Sequence, residues 1–208
     1  MGFLSLKIDE FAIRKKFEEE VLSIPEVKEQ AEKAASNLFI RAKNSLLKNF
    51  ENHEITQEIR GGNSSINLSN TLDGYGNLFS FLGFYEGSDP TRELDELLRD
   101  VEMERSYYKN NIVYFNISYP SRKQIEEATQ MTWGQGTSWA YAVENGEFNG
   151  DAALSHFIFK NSITSRSQAG FQVGHEYAEE EFSPKPYISE IIENFKDRIN
   201  NSRSKYIV

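Results

Sequence analysis

The most regular pattern of hydrophobic and polar positions covers residues 24–52. Small or apolar side chains recur there at steps of three or four residues, as on one face of a helix: Val27, Ala31, Ala34, Leu38, Ala42 and Leu46. Ser23, Pro25 and Glu26 stand where an N-cap, a first-turn proline and a capping-box glutamate are expected. The pattern predicts a helix from about residue 25 to Asn52, about 39 Å long.

A weaker helical pattern precedes the long helix at residues 5–21. Its apolar stripe is short, because charged side chains surround Ile8 and Phe11 on most of the helix surface. A helix of this kind buries little apolar area. The sequence therefore predicts an N-terminal arm over residues 1–24, which docks weakly or onto a partner, followed by a single domain over residues 25–208.

The segment after the long helix is predicted to form an extended loop over residues 60–89. Its first part, residues 60–77, is rich in Gly, Asn and Ser, which favour turns and compete for backbone hydrogen bonds. Its second part, LFSFLGFYEG, places Phe79, Phe81 and Phe84 within six residues. Long loops in compact proteins are usually functional or flexible, so this segment is a candidate for binding.

The rest of the chain mixes helical and strand patterns. Asp89 is the expected cap of the first helix, Ser121 and Gln124 form a capping box before the second, and Gly146 ends the third. The predicted helices cover residues 90–101, 122–131, 137–145 and 184–202, and the predicted strands cover 111–119, 156–163 and 169–178. This order predicts an α+β fold with long N-terminal helices, a small antiparallel or mixed sheet and a C-terminal helix.

Composition and charge exclude several classes of function. The 208 residues include 23 Lys and Arg against 32 Asp and Glu, a formal net charge of −9, and no basic run that could follow a phosphate backbone. The absence of cysteine excludes disulfides, thiol catalysis and thiolate metal sites. Because no stretch is long and apolar enough to span a membrane, we expect a soluble protein made in the cytoplasm, without tight nucleic-acid or membrane binding.

Candidate catalytic and metal-ligating residues are few. His175 and Glu179 would share a helix face in GHEYAEEEF, but the second histidine of an HExxH motif is missing. Pairs of carboxylates such as Glu144 and Glu147 arise by coincidence in so acidic a chain, and nothing marks a cleft around them. The nucleophile-elbow, Walker and GxGxxG motifs are absent. The sequence therefore predicts no catalytic residues, no metal and no cofactor.

Aromatic side chains are the most informative residues of the second half. Trp133, Trp139, Tyr141 and Phe148 fall within sixteen positions. Such side chains pack in a core or anchor a protein–protein interface, where Trp, Tyr and Phe are enriched. Many of them lie in Gly- and Asn-rich segments, which favour surface positions, so a core alone does not account for all of them.

Three short motifs occur in a fixed order along residues 26–200. Their residues are Gly76, Leu78 and Phe79, then Tyr141, Ala142, Val143, Glu144 and Gly146, and finally Pro186, Tyr187 and Ile188. The order resembles that of the tail-completion, or neck, proteins that join head to tail in long-tailed double-stranded DNA bacteriophages. In that family a T-G-x-L-like stretch follows a helix, a Y-A-x-x-V-E-x-G stretch follows a strand, and a proline-led helix closes the domain.

The resemblance implies a structural virion protein, not an enzyme, that forms a homo-oligomeric ring of six copies in preference to twelve. The ring would lie in the neck of the particle, after assembly in the host cytoplasm, and join the head connector to the tail. Its partners would be other neck, connector or tail proteins, with DNA only as non-specific cargo in an acidic channel. The alternatives are a tail-terminator or tail-tube protein of the same particle and, from another class, a carbohydrate-active hydrolase.

In this interpretation the aromatic segments form the subunit contacts or the core that supports them. Glu144 is then a structural partner near a subunit boundary rather than a general base. The loop 60–77 and the LFSFLGF segment reach into an adjoining ring and become ordered on binding. The predicted interface residues are Leu78, Phe79, Phe81, Phe84, Trp133, Trp139, Tyr141, Glu144 and Tyr187.

Overall fold

The computed structural model describes residues 15–17, 20–21, 24–72, 76–104, 107–109, 112–131, 136–146 and 182–203. Within these residues the protein is mostly helical with short antiparallel strands, which confirms the predicted α+β class. Several predicted elements and residues lie outside the described residues: residues 5–14 of the arm helix, the cap Ser23, the strands 156–163 and 169–178, Trp133, Phe148 and the His175 segment.

Helix α1, Pro25–Asn52, is the long helix that the sequence predicted. Its buried residues lie four apart in the C-terminal half: Ala42, Leu46 and Phe50. Residues 15–17 and 20–21 are also helical, in agreement with the predicted helix of the arm. The apolar stripe of α1 therefore becomes a core element only after its midpoint.

A second helix, α2, Glu54–Arg60, follows α1 directly and was not identified from the sequence. Its N-cap is His53, whose Nδ1 atom accepts a hydrogen bond from the backbone N–H of Ile55 at 3.2 Å. Histidine is not among the residues that commonly cap helices, so the usual start signal is missing. A single turn of 3-10 helix, Gly62–Ser64, follows α2.

Two short helices lie within and after the predicted loop. Helix α3, Leu78–Phe81, is capped by Asn77, whose Oδ1 accepts a hydrogen bond from Ser80 N at 2.9 Å. Helix α4, Arg92–Arg99, begins two residues later than predicted. The reason is that Asp89 accepts hydrogen bonds from the backbone N–H and the hydroxyl of Thr91, and so forms a turn before the helix.

Two pairs of short antiparallel strands come next, β1 with β4 and β2 with β3. Their bounds are Glu102–Met103 for β1, Tyr107–Lys109 for β2, Ile112–Tyr114 for β3 and Ile117–Ser118 for β4. The prediction of one strand over 111–119 is therefore wrong. Met103 pairs with Ile117 in one ladder and Tyr107 with Tyr114 in the other, and the two ladders are separate two-stranded sheets.

Three further helices complete the described chain: α5, Arg122–Ala128, α6, Trp139–Asn145, and α7, Ile188–Arg203. The capping box predicted before α5 is present, with Ser121 and Gln124 each accepting a backbone hydrogen bond from the other. Gly146 ends α6 with a φ of 71°, a left-handed conformation that glycine adopts without strain. The structure thus confirms two of the predicted helix signals, the capping box before α5 and the glycine stop after α6.

Contacts within the chain divide it into two compact units. Unit 1 contains residues 1–41 and 102–118, and unit 2 contains residues 42–101 and 119–208. The division between the two units falls inside α1, whereas the sequence predicted an arm over residues 1–24 and a single domain over residues 25–208. The difference arises because the long helix contributes to both units.

The core of unit 2 combines the C-terminal half of α1 with α2, α3, α4, α6 and α7. Side chains that are at most 1 % exposed include Phe50, Ile55, Ile59, Leu78, Phe79, Leu82, Leu94, Leu98, Trp139, Val143, Tyr187 and Ile188. None of the helices in the described residues combines the length and the apolar composition that a membrane crossing needs.

Candidate functional site

The three motif segments come together in the core of unit 2. A series of neighbouring aromatic rings connects them, here called the aromatic core: Phe79, Phe84, Trp139, Tyr187 and Phe50. The centroid distances between successive rings are 5.6, 6.0, 6.0 and 6.3 Å. Phe84 meets Trp139 edge-on at an interplanar angle of 87°, one of the favoured arrangements of aromatic pairs. The aromatic core therefore links α1, α3, α6 and the residue that precedes α7.

Glu144, the glutamate of the second motif, caps the N-terminus of α7. Its Oε1 accepts hydrogen bonds from the backbone N–H groups of Tyr187 at 3.1 Å and Ser189 at 2.6 Å. Its Oε2 accepts a hydrogen bond from the Ser189 hydroxyl at 2.7 Å. A carboxylate at this position satisfies backbone donors that have no partner inside the helix and lies at the positive end of the helix dipole. Glu144 thus joins α6 to α7 within one chain.

Replacing Glu144 with glutamine is expected to lower the free energy of unfolding by about 1 kcal/mol, because the amide keeps one acceptor oxygen but loses the negative charge and the second acceptor. Chemical denaturation of the variant and the parent chain measures the difference. Glu193→Gln is the matched control: Glu193 is exposed on the same helix and pairs with Lys196, so its loss is expected to cost at most about 0.5 kcal/mol. Equal losses in both variants would contradict the capping role.

Tyr187 lies at the centre of the junction and is fully buried. Its hydroxyl shares a hydrogen bond of 2.8 Å with Thr56 Oγ1, and its ring centroid lies 4.8 Å from that of His53. Burial raises the pKa of the Tyr187 hydroxyl far above its ordinary value, so the hydroxyl stays protonated near neutral pH. Tyr187 therefore connects α2 to the start of α7 as a neutral, hydrogen-bonded core residue.

Residues 182–187 form an irregular segment that is fastened at two points to the Gly-, Asn- and Ser-rich residues 60–77, here called the polar loop. The backbone N–H of Ser183 donates to the carbonyl of Thr71 at 2.8 Å. The Lys185 ammonium donates to the carbonyl of Ser69 at 3.1 Å. Backbone groups of irregular segments must find partners when they pack against a core, and here the two irregular segments satisfy each other.

Gly146 is required at the end of α6 for two independent reasons. Its φ of 71° is strained for residues that carry a side chain. A Cβ atom at this position would also lie 2.8 Å from Cγ of Pro184, closer than real Cβ contacts. The glycine of the second motif therefore allows the 182–187 segment to pack directly against the end of α6.

Glu58 is fully buried and hydrogen-bonds the polar loop at Ser69 and at Leu78, the residue that follows the loop. Its Oε2 accepts a hydrogen bond from Ser69 N at 2.8 Å, and its Oε1 accepts one from Leu78 N at 2.6 Å. The side-chain amide of Asn77 donates to two carbonyls of the 63–65 turn at 3.2 and 3.0 Å. Burying a carboxylate costs free energy unless the carboxylate is hydrogen-bonded, and the backbone N–H groups of Ser69 and Leu78 provide these hydrogen bonds to Glu58. The loop therefore folds back onto α2.

A network of alternating charges joins α1, α2 and α4. Arg60 donates to Thr91 Oγ1 at 2.8 Å and pairs with Asp95 at 3.4 Å. Arg99 pairs with Asp95 at 3.2 Å and with Glu51 at 2.9 Å. Partly exposed pairs of this kind contribute little individually, but together they fix how the three helices meet. Asp95 is therefore committed to two arginines.

The structure separates the predicted interface residues into two groups. Those at most 3 % exposed, covered by the chain's own core, are Leu78, Phe79, Phe84, Trp139 and Tyr187. Those that are half-buried are Phe81, Tyr141 and Glu144. Trp133 lies outside the described residues. The sequence predicted that the LFSFLGF segment reaches into a neighbouring ring. In the structure its leucines and two of its phenylalanines instead fill the core beside α6.

The described residues offer little that resembles a reaction centre. No three His, Cys, Asp or Glu side chains among them lie together as a metal site requires. A shallow depression of about 390 Å³ is lined by Asn49, Asn52, His53, Glu54, Glu190, Ile191 and Asn194. This depression is polar and open, whereas small-molecule sites are mostly concave and apolar. Glu147, the second carboxylate of the pair considered above, lies outside the described residues.

Three polar residues that organise this junction were not predicted from the sequence: His53, Thr56 and Glu58. All three belong to the first turns of α2 or its cap, and the buried Ile55 and Ile59 mark the inner face of that helix. A signal for Glu58 was present. It lies one helical turn after Ile55, on the buried face, and precedes a loop rich in backbone donors.

Comparisons of the chain with protein families, with curated proteins and with solved structures found no match. The resemblance to neck proteins therefore stays a prediction from three short motifs.

Proposed function

We propose that the protein is a structural component of a tailed bacteriophage particle and forms a ring in the neck, or tail-completion, region that joins the head connector to the tail. The junction of the three motif segments is the observation that carries this proposal. Residues 76–84, helix α6 and residues 184–188 are far apart in sequence, yet they share one aromatic core and one helix cap. The three motif segments therefore hold one another in a fixed arrangement, which suits a structural subunit.

The chemistry of the junction favours a scaffold over a catalyst. Both carboxylate oxygens of Glu144 accept hydrogen bonds at the start of α7, and the Tyr187 hydroxyl is buried with a raised pKa. A glycosidase needs two carboxylates that face a cleft about 5–10 Å apart, one of them free to transfer a proton. Glu144 and Glu58, the carboxylates described above at this junction, both accept hydrogen bonds through each of their oxygens. These facts support a structural role over a carbohydrate-active hydrolase.

Contacts between subunits would use the accessible side of α6. Tyr141 is half-buried there, and the exposed guanidinium of Arg122 lies 4.8 Å from its ring centroid. Tyrosine and arginine are enriched among residues that dominate binding energy at interfaces. A closed ring also needs two unlike faces on each subunit. Tyr141 and Arg122 are therefore our candidates for one of these faces.

The native mass in solution tests the proposal. Light scattering over a wide dilution series is expected to give a fixed ring mass, or a monomer that forms a ring when neck or tail proteins of the same particle are added. Tyr141→Ser is expected to weaken assembly without unfolding the chain. Tyr119→Ser is the matched control, because Tyr119 is 46 % exposed and also lies beside a cation, Lys196, at 5.2 Å.

Three outcomes have different meanings. Open polymers of indefinite length favour the tail-tube alternative, since a tube grows whereas a joining ring closes at a fixed number. A strict monomer, with and without those partners, would refute the ring. Polysaccharide cleavage in a zymogram that is lost in Glu144→Gln would replace the structural proposal with the hydrolase.

A further inference from the structure

We propose that His53 is a pH-sensitive helix cap: protonation of its Nδ1 atom releases the first turn of α2 and loosens the hold of α2 on the 182–187 segment. The proposal goes beyond the proposed function and does not depend on it. His53 lies between α1 and α2. Its side chain accepts a hydrogen bond from the first turn of α2, and its ring lies beside that of Tyr187.

The hydrogen bond that His53 accepts requires a neutral ring of one tautomer. Nδ1 accepts from the backbone N–H of Ile55 at 3.2 Å, so it carries no proton. A neutral imidazole that accepts at Nδ1 carries its proton at Nε2 and can donate only from there. The geometry therefore assigns the Nε2–H tautomer.

Protonation at Nδ1 removes the acceptor of the cap. A proton on that atom would point at the Ile55 N–H, so two donors would face each other. The first turn of α2 also carries Glu54, which pairs with Lys185, and Thr56, which hydrogen-bonds the Tyr187 hydroxyl. Loss of the cap thus weakens the part of α2 that holds the 182–187 segment.

The surroundings of His53 bias it towards the neutral form. Burial lowers the pKa of His53 below its ordinary value of 6.5, and the positive charge of Lys185 lowers it further, while the nearby carboxylates of Glu190 and Glu54 act in the opposite direction. The other side chains facing it across the depression, from α1 and α7, are uncharged: Asn49, Asn52, Ile191 and Asn194.

The sign of the pH effect follows from this lowered pKa. The unfolded chain binds a proton at His53 more readily than the folded chain, so stability rises with pH in that range. The contribution of the cap is fully present above pH 6.5 and is lost as the pH falls through the lower pKa of the folded protein. Mild acid is therefore the condition that releases the cap.

The first test follows His53 by NMR in a full-length chain in which it is the only histidine. The chain has three histidines, so His156→Gln together with His175→Gln leaves His53 alone. We expect an Nε2–H tautomer at neutral pH, a midpoint below that of free histidine, and a loss of exchange protection at the Ile55 amide of about fivefold as the ring titrates. Unchanged protection across the titration, or an Nδ1–H tautomer, would overturn the proposal.

The second test replaces the cap by one that does not titrate. Asparagine caps helices well, so His53→Asn is expected to fold and to keep the Ile55 hydrogen bond at every pH. The dependence of stability on pH just below 6.5 should then disappear, while the loss of stability in stronger acid, where carboxylates protonate, stays. If His53→Asn keeps the full dependence of the parent in that range, His53 is not the sensor.

Discussion

Replacing Trp139 with alanine is expected to lower the free energy of unfolding by about 3–5 kcal/mol, the usual range for removing a large buried aromatic side chain. Trp139 is 1 % exposed, and its ring contacts Phe84 and Tyr187 at centroid distances of 6.0 Å each. The substitution removes the central ring of the aromatic core and leaves a cavity where three motif segments meet. Chemical denaturation of the isolated chain measures the loss.

The matched control for Trp139→Ala lies on the same helix. Tyr141 is half-buried and faces Arg122, so Tyr141→Ala is expected to cost the isolated chain about 1 kcal/mol or less. The two variants therefore distinguish a buried core ring from a half-buried one. A Trp139→Ala chain with parental stability, or a larger loss in Tyr141→Ala than in Trp139→Ala, would reverse this assignment of the two aromatic residues.

Signals carried by adjacent residues predicted the helices well. The capping box of Ser121 and Gln124 and the stop at Gly146 each depend on a few neighbouring residues, and both are present in the structure. The spacing of apolar residues in α1 likewise gave its extent. Helix α2 was missed because its cap is His53, whose role depends on the neutral tautomer that its surroundings select.

The strands could not be predicted from their own pattern. The alternation over 111–119 is regular, but the structure divides it between two short strands, β3 paired with β2 and β4 paired with β1. Where a strand ends therefore depends on its pairing partner, which lies outside the alternating pattern itself.

Which apolar residues lie in the core could not be predicted from the sequence either, because this also depends on contacts with distant parts of the chain. Glycine- and asparagine-rich neighbours favoured surface positions for Leu78 and Phe79, yet both are buried. A polar loop can lie next to a core only when its backbone donors find acceptors. Glu58 supplies two of these, and nothing in the local pattern around Phe79 reveals a carboxylate that arrives from another helix.

The role of Glu144 could be predicted from the sequence only in part. The sequence favoured a structural partner over a general base for this residue, and its hydrogen bonds are those of a helix cap. The sequence did not identify the helix that it caps, because Glu144 and Ser189 are more than forty residues apart. Whether a subunit boundary lies nearby is the question that the native-mass experiment addresses.

Replacing Glu58 with glutamine is expected to lower the free energy of unfolding by about 2–4 kcal/mol, although the two side chains have nearly the same shape. Both carboxylate oxygens accept backbone hydrogen bonds, from Ser69 and Leu78, inside a fully buried site. Glutamine has one acceptor oxygen, and its amide group would face a backbone N–H, donor against donor. Denaturation measures the global loss, and exchange of the Ser69 and Leu78 amides reports the release of the loop.

Glu51→Gln is the matched control for Glu58→Gln, because it removes the same charge from a side chain that is 45 % exposed and pairs with Arg99 at the surface. Its expected cost is at most about 1 kcal/mol. Similar stability of the two variants would mean that Glu58 does not hold the loop. If the expected difference is found, Ser69 and Leu78 are fastened to α2 before any partner arrives, so a neighbouring subunit that contacts these residues has no ordering entropy to overcome there.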